Sequence, residues 1–206
     1  MTGIIKNIIG HASLRFKYEI SERKIREVLN RKEEIFLEVG AGGKKGSNGW
    51  LTIDVAQNCD IFWDLRRGIP FPNESVSKMY SSHFFEHLTY KEGQKFLDEC
   101  LRVLRPGGTF SICVPNARIY IEAYLNSELD TEKFIRCKPA YNNTTKIDYV
   151  NYTAYMNDHH KYMFDEENLI HILKAKGMKN VHLREFDPSL DRKERDYESI
   201  YAVAEK

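Results

Sequence analysis

The sequence predicts an α/β protein in which a parallel sheet is covered by helices on both faces. A short apolar run, residues 35–39, stops at glycines, which is typical of a buried parallel strand. Further short apolar runs alternate with helical patterns, and this alternation favours parallel βαβ units. The length of 206 residues suits one domain, residues 1–206, with room for a cap.

Residues 1–30 are predicted to form an N-terminal helical segment. Isoleucines recur in it at helical spacing: Ile4, Ile5, Ile8 and Ile9. This apolar face either packs on the domain or, with basic side chains beside it, places residues 1–20 on a membrane surface or a partner protein. Ser21 is predicted to cap a second helix that runs to about Asn30.

The later elements follow from similar patterns. Strands are predicted at residues 50–54, 61–64, 77–81 and 109–114, and near 179–186 and 199–204. A helix from Thr89 to about Leu104 should end at residues 105–108, because proline forbids continuation and glycine supplies a positive φ. A last helix should begin at residues 164–165 and close at Gly177.

Residues 126–160 interrupt this alternation. They are rich in tyrosine and asparagine and are interpreted as a cap inserted over the carboxyl edge of the sheet, where α/β proteins bind ligands. The tyrosines could stack on a sugar or aromatic ligand, or could pack as a simple cover over the core. Farther on, residues 191–196 carry charges that cancel and are predicted to form a solvated loop.

Composition excludes several classes of protein. The 31 Lys and Arg against 30 Asp and Glu leave a net charge of +1, which argues against a nucleic-acid partner. No stretch approaches the ~20 apolar residues of a transmembrane helix, and the N-terminus lacks the apolar core of a signal peptide. The four cysteines form no C-x-x-C pair and are typical of reduced thiols. A cytoplasmic protein is therefore expected.

A glycine-rich turn follows the first strand and reads Glu38-Val39-Gly40-Ala41-Gly42-Gly43. Glycines there let a ligand approach the backbone closely, although such a turn could also be purely structural. The G-x-G-x-x-G pattern of dinucleotide-binding enzymes fits poorly, because Lys45 stands at its last position and the next acid, Asp54, comes early. Asp64 ends the third strand, so acids follow three successive strands and should meet at one edge of the sheet.

These features resemble the class I S-adenosylmethionine-dependent methyltransferases, in the branch often called type 11. The resembling segments run in family order: residues 37–43, 49–54, 69–73, 80–88 and 101–108. The resemblance implies a Rossmann-like, seven-stranded, mostly parallel sheet with strand order 3-2-1-4-5-7-6. It also implies S-adenosylmethionine as cofactor and S-adenosylhomocysteine as product. This chain departs from the family pattern at residues 43–49, which are too few for the usual crossover helix.

The resemblance further implies cofactor contacts at the ends of the first four strands: Glu38, Gly40, Ala41, Gly42, Asp54, Val55, Asp64, Leu65, Ser82 and His83. The glycine turn would surround the methionine half, and Glu38 would orient its amino group. The acids after the second and third strands would hold the ribose and the adenine. Ser82 and His83 would flank the methyl donor.

Catalytic candidates are His83, in the expected cleft, and the pair Asp158 and His159, which could instead form a capping cluster. An alcohol acceptor benefits from a general base, usually His, Asp or Glu. Adjacent His159 and His160 should point to opposite sides of an extended chain, so at most one faces the acceptor, and His159 is favoured. The order of histidines and glutamate in residues 83–87 differs from the H-E-x-x-H zinc motif, so no metal site is predicted.

The sequence thus predicts an S-adenosylmethionine-dependent methyltransferase that acts on a small-molecule or sugar acceptor, at oxygen. The Ser81-Ser82-His83 segment differs from the Asn/Asp-Pro-Pro-Tyr type associated with amino-group methylation of bases, which favours oxygen. An alternative is a non-catalytic S-adenosylmethionine-binding module that acts through a protein partner. A nucleotide-dependent oxidoreductase is a third hypothesis, against which Lys45 argues. The oligomeric state is left open.

Overall fold

The chain folds around one mixed sheet of seven strands. A computed structural model describes residues 2–126 and 145–206, with side chains from residue 13 onward. The strands are β1 (Phe36–Val39), β2 (Trp50–Asp54), β3 (Ile61–Phe62), β4 (Val76–Ser82), β5 (Leu104–Pro115), β6 (Lys179–Leu183) and β7 (Ser199–Glu205). The α-helices are α1 (Thr2–Asn30), α2 (Tyr90–Val103), α3 (Ala117–Leu125), α4 (Ile147–Tyr155) and α5 (Glu166–Ala175).

The strand order is β3-β2-β1-β4-β5-β7-β6, which confirms the predicted fold class. The first five strands pair in parallel, whereas β7 runs antiparallel to both β5 and β6. Leu37 of β1 stands opposite Leu51 on one side and Met79 on the other. The carboxyl ends of β1, β2 and β4 therefore lie at one edge of the sheet, and the loops that follow them are neighbours.

The core lies between this sheet and the helices packed on it. Central strand residues are almost completely buried: Leu37, Val39, Ile53, Met79, Phe110 and Ile112. Helix α2 contributes Phe96 and Leu97, and α5 contributes Leu169 and Leu173. Thr89 caps α2 through a reciprocal pair of hydrogen bonds with Glu92.

Helix α1 is continuous from Thr2 to Asn30, so the predicted cap at Ser21 is wrong. Ser21 is buried instead, and its Oγ accepts the backbone N–H of Phe62 at 2.9 Å. Tyr18 packs edge-on against Phe62 and Trp63, with ring centroids 5.4 and 5.1 Å away. The second half of α1 thus covers the edge strand β3 and accepts a hydrogen bond from its backbone.

The isoleucine face of residues 1–12 lies outside the described side chains. Among residues 2–126 and 145–206, no helix combines the length and the apolarity needed to cross a bilayer. The predicted cap is described only over residues 145–160, where α4 packs on α3 and Tyr120 lies 6.4 Å from Tyr152 between ring centroids. Residues 127–144 of the predicted cap, including Tyr141, lie outside the described part of the chain.

Helix α2 ends at Val103, as expected, but residues 105–108 belong to the start of β5 and not to a separate turn. Val76 stands opposite Leu104, and Lys78 stands opposite Thr109. Because two steps along β4 correspond to five along β5, the intervening residues form a bulge. The chain therefore passes directly from helix to strand.

The link between β1 and β2 forms no helix, as predicted. Asp60 holds this link: its Oδ2 accepts the backbone N–H of Gly46 at 2.8 Å and of Thr52 at 3.1 Å. It also accepts the Thr52 hydroxyl at 3.0 Å. A Cβ at Gly46 would lie 1.9 Å from the Trp50 carbonyl oxygen, so only glycine fits there.

Asp60→Ala should lower the free energy of unfolding by about 1–3 kcal/mol, because a charged acceptor of three hydrogen bonds is lost and partly buried donors are left unpaired. Urea unfolding followed by circular dichroism measures this change. The matched control Asp98→Ala removes an exposed carboxylate that pairs with Lys176 and should change the free energy of unfolding by less than about 1 kcal/mol. Equal effects of the two changes would show that Asp60 does not hold the link.

Candidate functional site

The loop after β1 lies at the carboxyl edge of the sheet and has left-handed backbone at two glycines. The φ angle is +70° at Gly40 and +67° at Gly42. A Cβ at Gly40 would lie 2.1 Å from the ring of Phe84, so a larger residue cannot fit. At Gly42, no described atom lies within 4 Å of an added Cβ. Gly40 therefore serves close packing, whereas Gly42 faces open space.

Asp54 holds this loop in place from the end of β2. Its Oδ2 accepts the N–H of Gly42 at 2.9 Å, and its Oδ1 accepts the N–H of Ala56 at 2.8 Å. Each carboxylate oxygen can accept a further hydrogen bond. Asp54 is thus both a structural anchor and a partly exposed acceptor at the sheet edge.

A first cavity, called the loop cavity, has a volume of about 310 Å³. Its wall contains six of the predicted cofactor residues: Glu38, Gly40, Ala41, Gly42, Ser82 and His83. Glu38 is buried, and Lys44 lies with its Nζ 2.6 Å from the Glu38 Oε1. Burial raises the pKa of Glu38, although the Lys44 ammonium opposes this shift.

The charged run of residues 191–196, called the late loop, forms part of the wall of this cavity. It is solvated only in part, because residues 192–194 are exposed, as predicted, whereas Asp191 is buried. Asp191 is buried and accepts from both terminal guanidinium nitrogens of Arg184, at 2.5 and 2.8 Å. The hydroxyl of Tyr80 donates to it at 2.8 Å. Because Tyr80 belongs to β4, this contact fixes the late loop over the sheet edge and brings Arg192 and Arg195 into the cavity wall.

A second cavity, called the outer cavity, has a volume of about 480 Å³. It brings together another six predicted residues: Asp54, Val55, Asp64, Leu65, Asp158 and His159. The carboxylate of Asp64 accepts from the Nε and Nη2 of Arg66, at 2.9 and 2.8 Å. These hydrogen bonds lower the pKa of Asp64 and hold it ionised. Phe84 lines the outer cavity and packs on Gly40 of the loop cavity, so the two cavities adjoin.

A third cavity, called the histidine cavity, has a volume of about 250 Å³. Its wall includes His83, Glu86, His87, Tyr120, His160 and Arg195. His83 and Arg195 also line the loop cavity, so these two residues form the junction between the cavities.

His83 is held rigidly at this junction. Its backbone N–H donates to the Cys113 carbonyl at 2.9 Å, and its φ is +49°. The His83 Nε2 lies 2.9 Å from the Ser199 hydroxyl, which itself donates to the Arg195 carbonyl at 2.6 Å. The Nε2 therefore carries the hydrogen, and the Nδ1 keeps a lone pair. Burial lowers the pKa of His83 to about 3, so its ring is neutral.

The structure places His160 in the histidine cavity, although sequence reasoning favoured His159. His160 is buried, and its Nδ1 lies 2.8 Å from the Thr153 carbonyl oxygen. His159 is exposed and lines the outer cavity, while its carbonyl accepts from the Nδ1 of His87 at 2.9 Å. The extended chain assumed for this segment is interrupted by positive φ angles at residues 156–158, which changes the direction of both side chains.

Sequence reasoning also missed Lys44, Glu86, Arg192 and Arg195. The two arginines lay in a run of mixed charges with no periodic signal. Glu86 was set aside because its spacing to the histidines did not match a zinc motif. It is buried, and burial raises its pKa to about 8.

Residues 55–112 match a family model described as "Methyltransferase domain". A curated protein from Mycolicibacterium smegmatis, named "Probable S-adenosylmethionine-dependent methyltransferase", is 40% identical over 57 residues. That match covers 26% of this chain and 21% of the relative, so it spans about a fifth of the curated protein's length.

Solved structures share the fold across nearly the whole chain. A SAM-dependent methyltransferase from Archaeoglobus fulgidus has a TM-score of 0.51 and 14% identity, and covers 95% of this chain and 99% of its own. An S-adenosylmethionine-dependent methyltransferase from Mesorhizobium loti has a TM-score of 0.51 and 15% identity. The match covers 89% of this chain and 98% of the solved chain. Residues 55–112 thus match a methyltransferase domain model, and the solved methyltransferase structures share the fold of this chain.

Proposed function

We propose that the chain transfers a methyl group from S-adenosylmethionine to an oxygen of a small-molecule or sugar acceptor. The observation that carries this proposal is the shared wall of the loop cavity and the histidine cavity. His83 and Arg195 line both, so a donor bound in one cavity and an acceptor bound in the other would meet at these residues.

The loop cavity suits the amino-acid end of S-adenosylmethionine, which carries an ammonium and a carboxylate group. Lys44 contacts the Oε1 of Glu38, and the carboxylate has further lone pairs that can accept from the ammonium group. Arg192 and Arg195 supply guanidinium groups for the carboxylate. The open space at Gly42 allows a ligand to approach the backbone.

The outer cavity suits the adenosine part. Asp54 retains acceptor capacity for the ribose hydroxyls, beside the exposed Val55. Leu65 and Phe84 offer apolar surface to the adenine ring, and Asp64 is a fixed acceptor for the adenine amino group. Asp158 and His159 lie at the same cavity, and a part for them in catalysis stays a prediction.

S-adenosylmethionine, when bound, supplies a methyl group already activated by a sulfonium, so alignment of the acceptor is the main requirement. The Nδ1 lone pair of His83 can accept a hydrogen bond from an acceptor hydroxyl at the junction. Tyr120 and Tyr152 give the histidine cavity aromatic walls that suit a sugar ring or an aromatic ring.

The proposal includes a cytoplasmic location for the protein. Cys59, Cys100 and Cys113 are free, buried thiols, which suit a reducing compartment. The net charge of +1 supports an acceptor other than nucleic acid.

The direct test is calorimetric titration with S-adenosylmethionine, S-adenosylhomocysteine and NAD, followed by assays of S-adenosylhomocysteine release with hydroxyl-bearing acceptors. We expect the first two ligands to bind, NAD not to bind, and an alcohol acceptor to support turnover. Binding of NAD alone would overturn the proposal. Binding of S-adenosylmethionine without turnover on any acceptor would support the non-catalytic module instead.

Asp54→Ala should weaken S-adenosylmethionine binding by about 1–3 kcal/mol, because it removes a charged acceptor and releases the N–H of Gly42. Isothermal titration calorimetry measures the dissociation constant. Asp98→Ala, an exposed substitution of the same kind, should leave that constant unchanged. An unchanged constant in Asp54→Ala would place the cofactor elsewhere.

Arg195→Gln should weaken the binding of S-adenosylmethionine and S-adenosylhomocysteine alike, by about 1–2 kcal/mol, because both carry the same carboxylate. The neighbouring Lys193→Gln is the control, since the Lys193 side chain is 76% exposed. If the two variants bind both ligands equally well, the late loop does not contact the amino-acid end.

A further inference from the structure

The histidine cavity contains the buried carboxyl group of Glu86, which has no hydrogen-bond partner among the described residues. The side chain of Glu86 is 3% exposed. Within residues 13–126 and 145–206, neither of its carboxylate oxygens has a hydrogen-bond partner. Buried polar groups are almost always paired, because an unpaired acceptor loses its water without replacement. The ionised form of Glu86 therefore lacks a donor or a cation.

Two imidazole rings beside Glu86 also present lone pairs. The Nδ1 of His87 lies 2.9 Å from the His159 carbonyl oxygen, and the Nδ1 of His160 lies 2.8 Å from the Thr153 carbonyl oxygen. A carbonyl oxygen only accepts, so each Nδ1 carries the hydrogen and each Nε2 keeps a lone pair. Neutral histidines with this hydrogen-bond pattern are the usual metal ligands.

Glu86, His87 and His160 lie close together because backbone hydrogen bonds connect two segments that are far apart in the sequence. The N–H groups of Lys161 and Tyr162 donate to the Glu86 carbonyl oxygen at 2.8 and 3.2 Å. The rings of His87 and His160 meet edge-on, with centroids 5.0 Å apart. One ligand atom from each of Glu86, His87 and His160 lies within 4.8 Å of the other two.

We propose that Glu86, His87 and His160 bind a divalent transition-metal ion. Two imidazoles and one carboxylate form a ligand set suited to ions such as Zn²⁺, Co²⁺ or Fe²⁺. The His87 Nε2 lies 3.9 Å from the Glu86 Oε1, and bonds of about 2.0–2.2 Å to a shared ion require only a small approach of these atoms. The His87 side chain is 36% exposed, which gives its ring room to rotate.

The order of residues in the sequence concealed this site. A zinc helix carries both histidines on one element, whereas here His160 arrives from a segment that follows α4. His83 lies close by, with its Nδ1 3.6 Å from the Glu86 Oε1. Because that Nδ1 also keeps a lone pair, it adds a further acceptor beside Glu86 and strengthens the case for a cation between these groups.

Three protein ligands leave coordination positions open toward the cavity. If the chain is a methyltransferase as proposed above, an open position would take an oxygen of the acceptor, and the acceptors would be oxygen compounds able to coordinate a metal. This assignment of the acceptor rests on the proposed function. The binding of the ion does not depend on it.

The test uses the full chain after treatment with EDTA and dialysis. Zn²⁺ is titrated by calorimetry, and Co²⁺ is titrated while its visible absorption is recorded. We expect one ion per chain and a Co²⁺ spectrum typical of nitrogen and oxygen ligands. Glu86→Gln, His87→Gln and His160→Gln should each weaken the ion's affinity by at least about tenfold. The control His171→Gln changes an exposed histidine on α5 and should not alter it.

Circular dichroism and an S-adenosylmethionine titration of each variant show whether the fold and the loop cavity persist. His87→Gln changes the most exposed of the three ligands and should fold even if a buried variant does not. The inference is overturned if the unsubstituted chain binds no ion more tightly than the triple variant E86Q/H87Q/H160Q, or if the three substitutions leave the affinity unchanged. If the unsubstituted chain binds the ion but does not bind S-adenosylmethionine, the proposed function is contradicted and the metal site is not.

Discussion

The buried ion pair between Asp191 and Arg184 is the interaction on which the site depends most. Its two charges are removed from water, so either one would be left uncompensated without the other. The Nε of Arg184 also donates to the Ser111 hydroxyl of β5 at 2.8 Å, while Tyr80 of β4 donates to Asp191. The pair therefore ties the late loop to two central strands. It is the reason that Arg192 and Arg195 line the loop cavity, where Arg195 is partly buried and Arg192 stays exposed.

The loop after β1 is held by carboxylates in place of a crossover helix. A helix beginning at this loop would supply the positive end of its dipole to a bound anion. Here the link to β2 has no helix, and Asp54 and Asp60 instead bond the backbone N–H groups of Gly42 and Gly46. The positive charge near the loop cavity comes from side chains, namely Lys44 and the two arginines of the late loop. Cofactor binding should therefore depend on those side chains to an unusual degree.

The histidine cavity concentrates acceptors beside its junction with the loop cavity. His83 and His160 are neutral because they are buried, and Glu86 has no donor among the described residues. Buried acceptors without donors bind an incoming cation or donor favourably, and they lower the stability of the protein while that partner is absent. A metal ion would satisfy the carboxylate and the imidazole lone pairs together, and would leave the junction with the loop cavity open for an acceptor. Binding and catalysis would then share one group of residues.

The sequence by itself determined the parts of this protein that depend on neighbouring residues. Apolar runs that stop at glycine marked β1, and the acids at the ends of β1, β2 and β3 indicated which edge of the sheet carries the site. The helix predicted to begin at Thr89 is α2, and Thr89 is its N-cap residue. Tertiary structure alone decided that Ser21 bonds β3, that His160 and not His159 joins Glu86, and that two arginines of the late loop line a cavity. Each of these outcomes depends on contacts between residues far apart in the chain, and local pattern carries no information about which distant segments will meet.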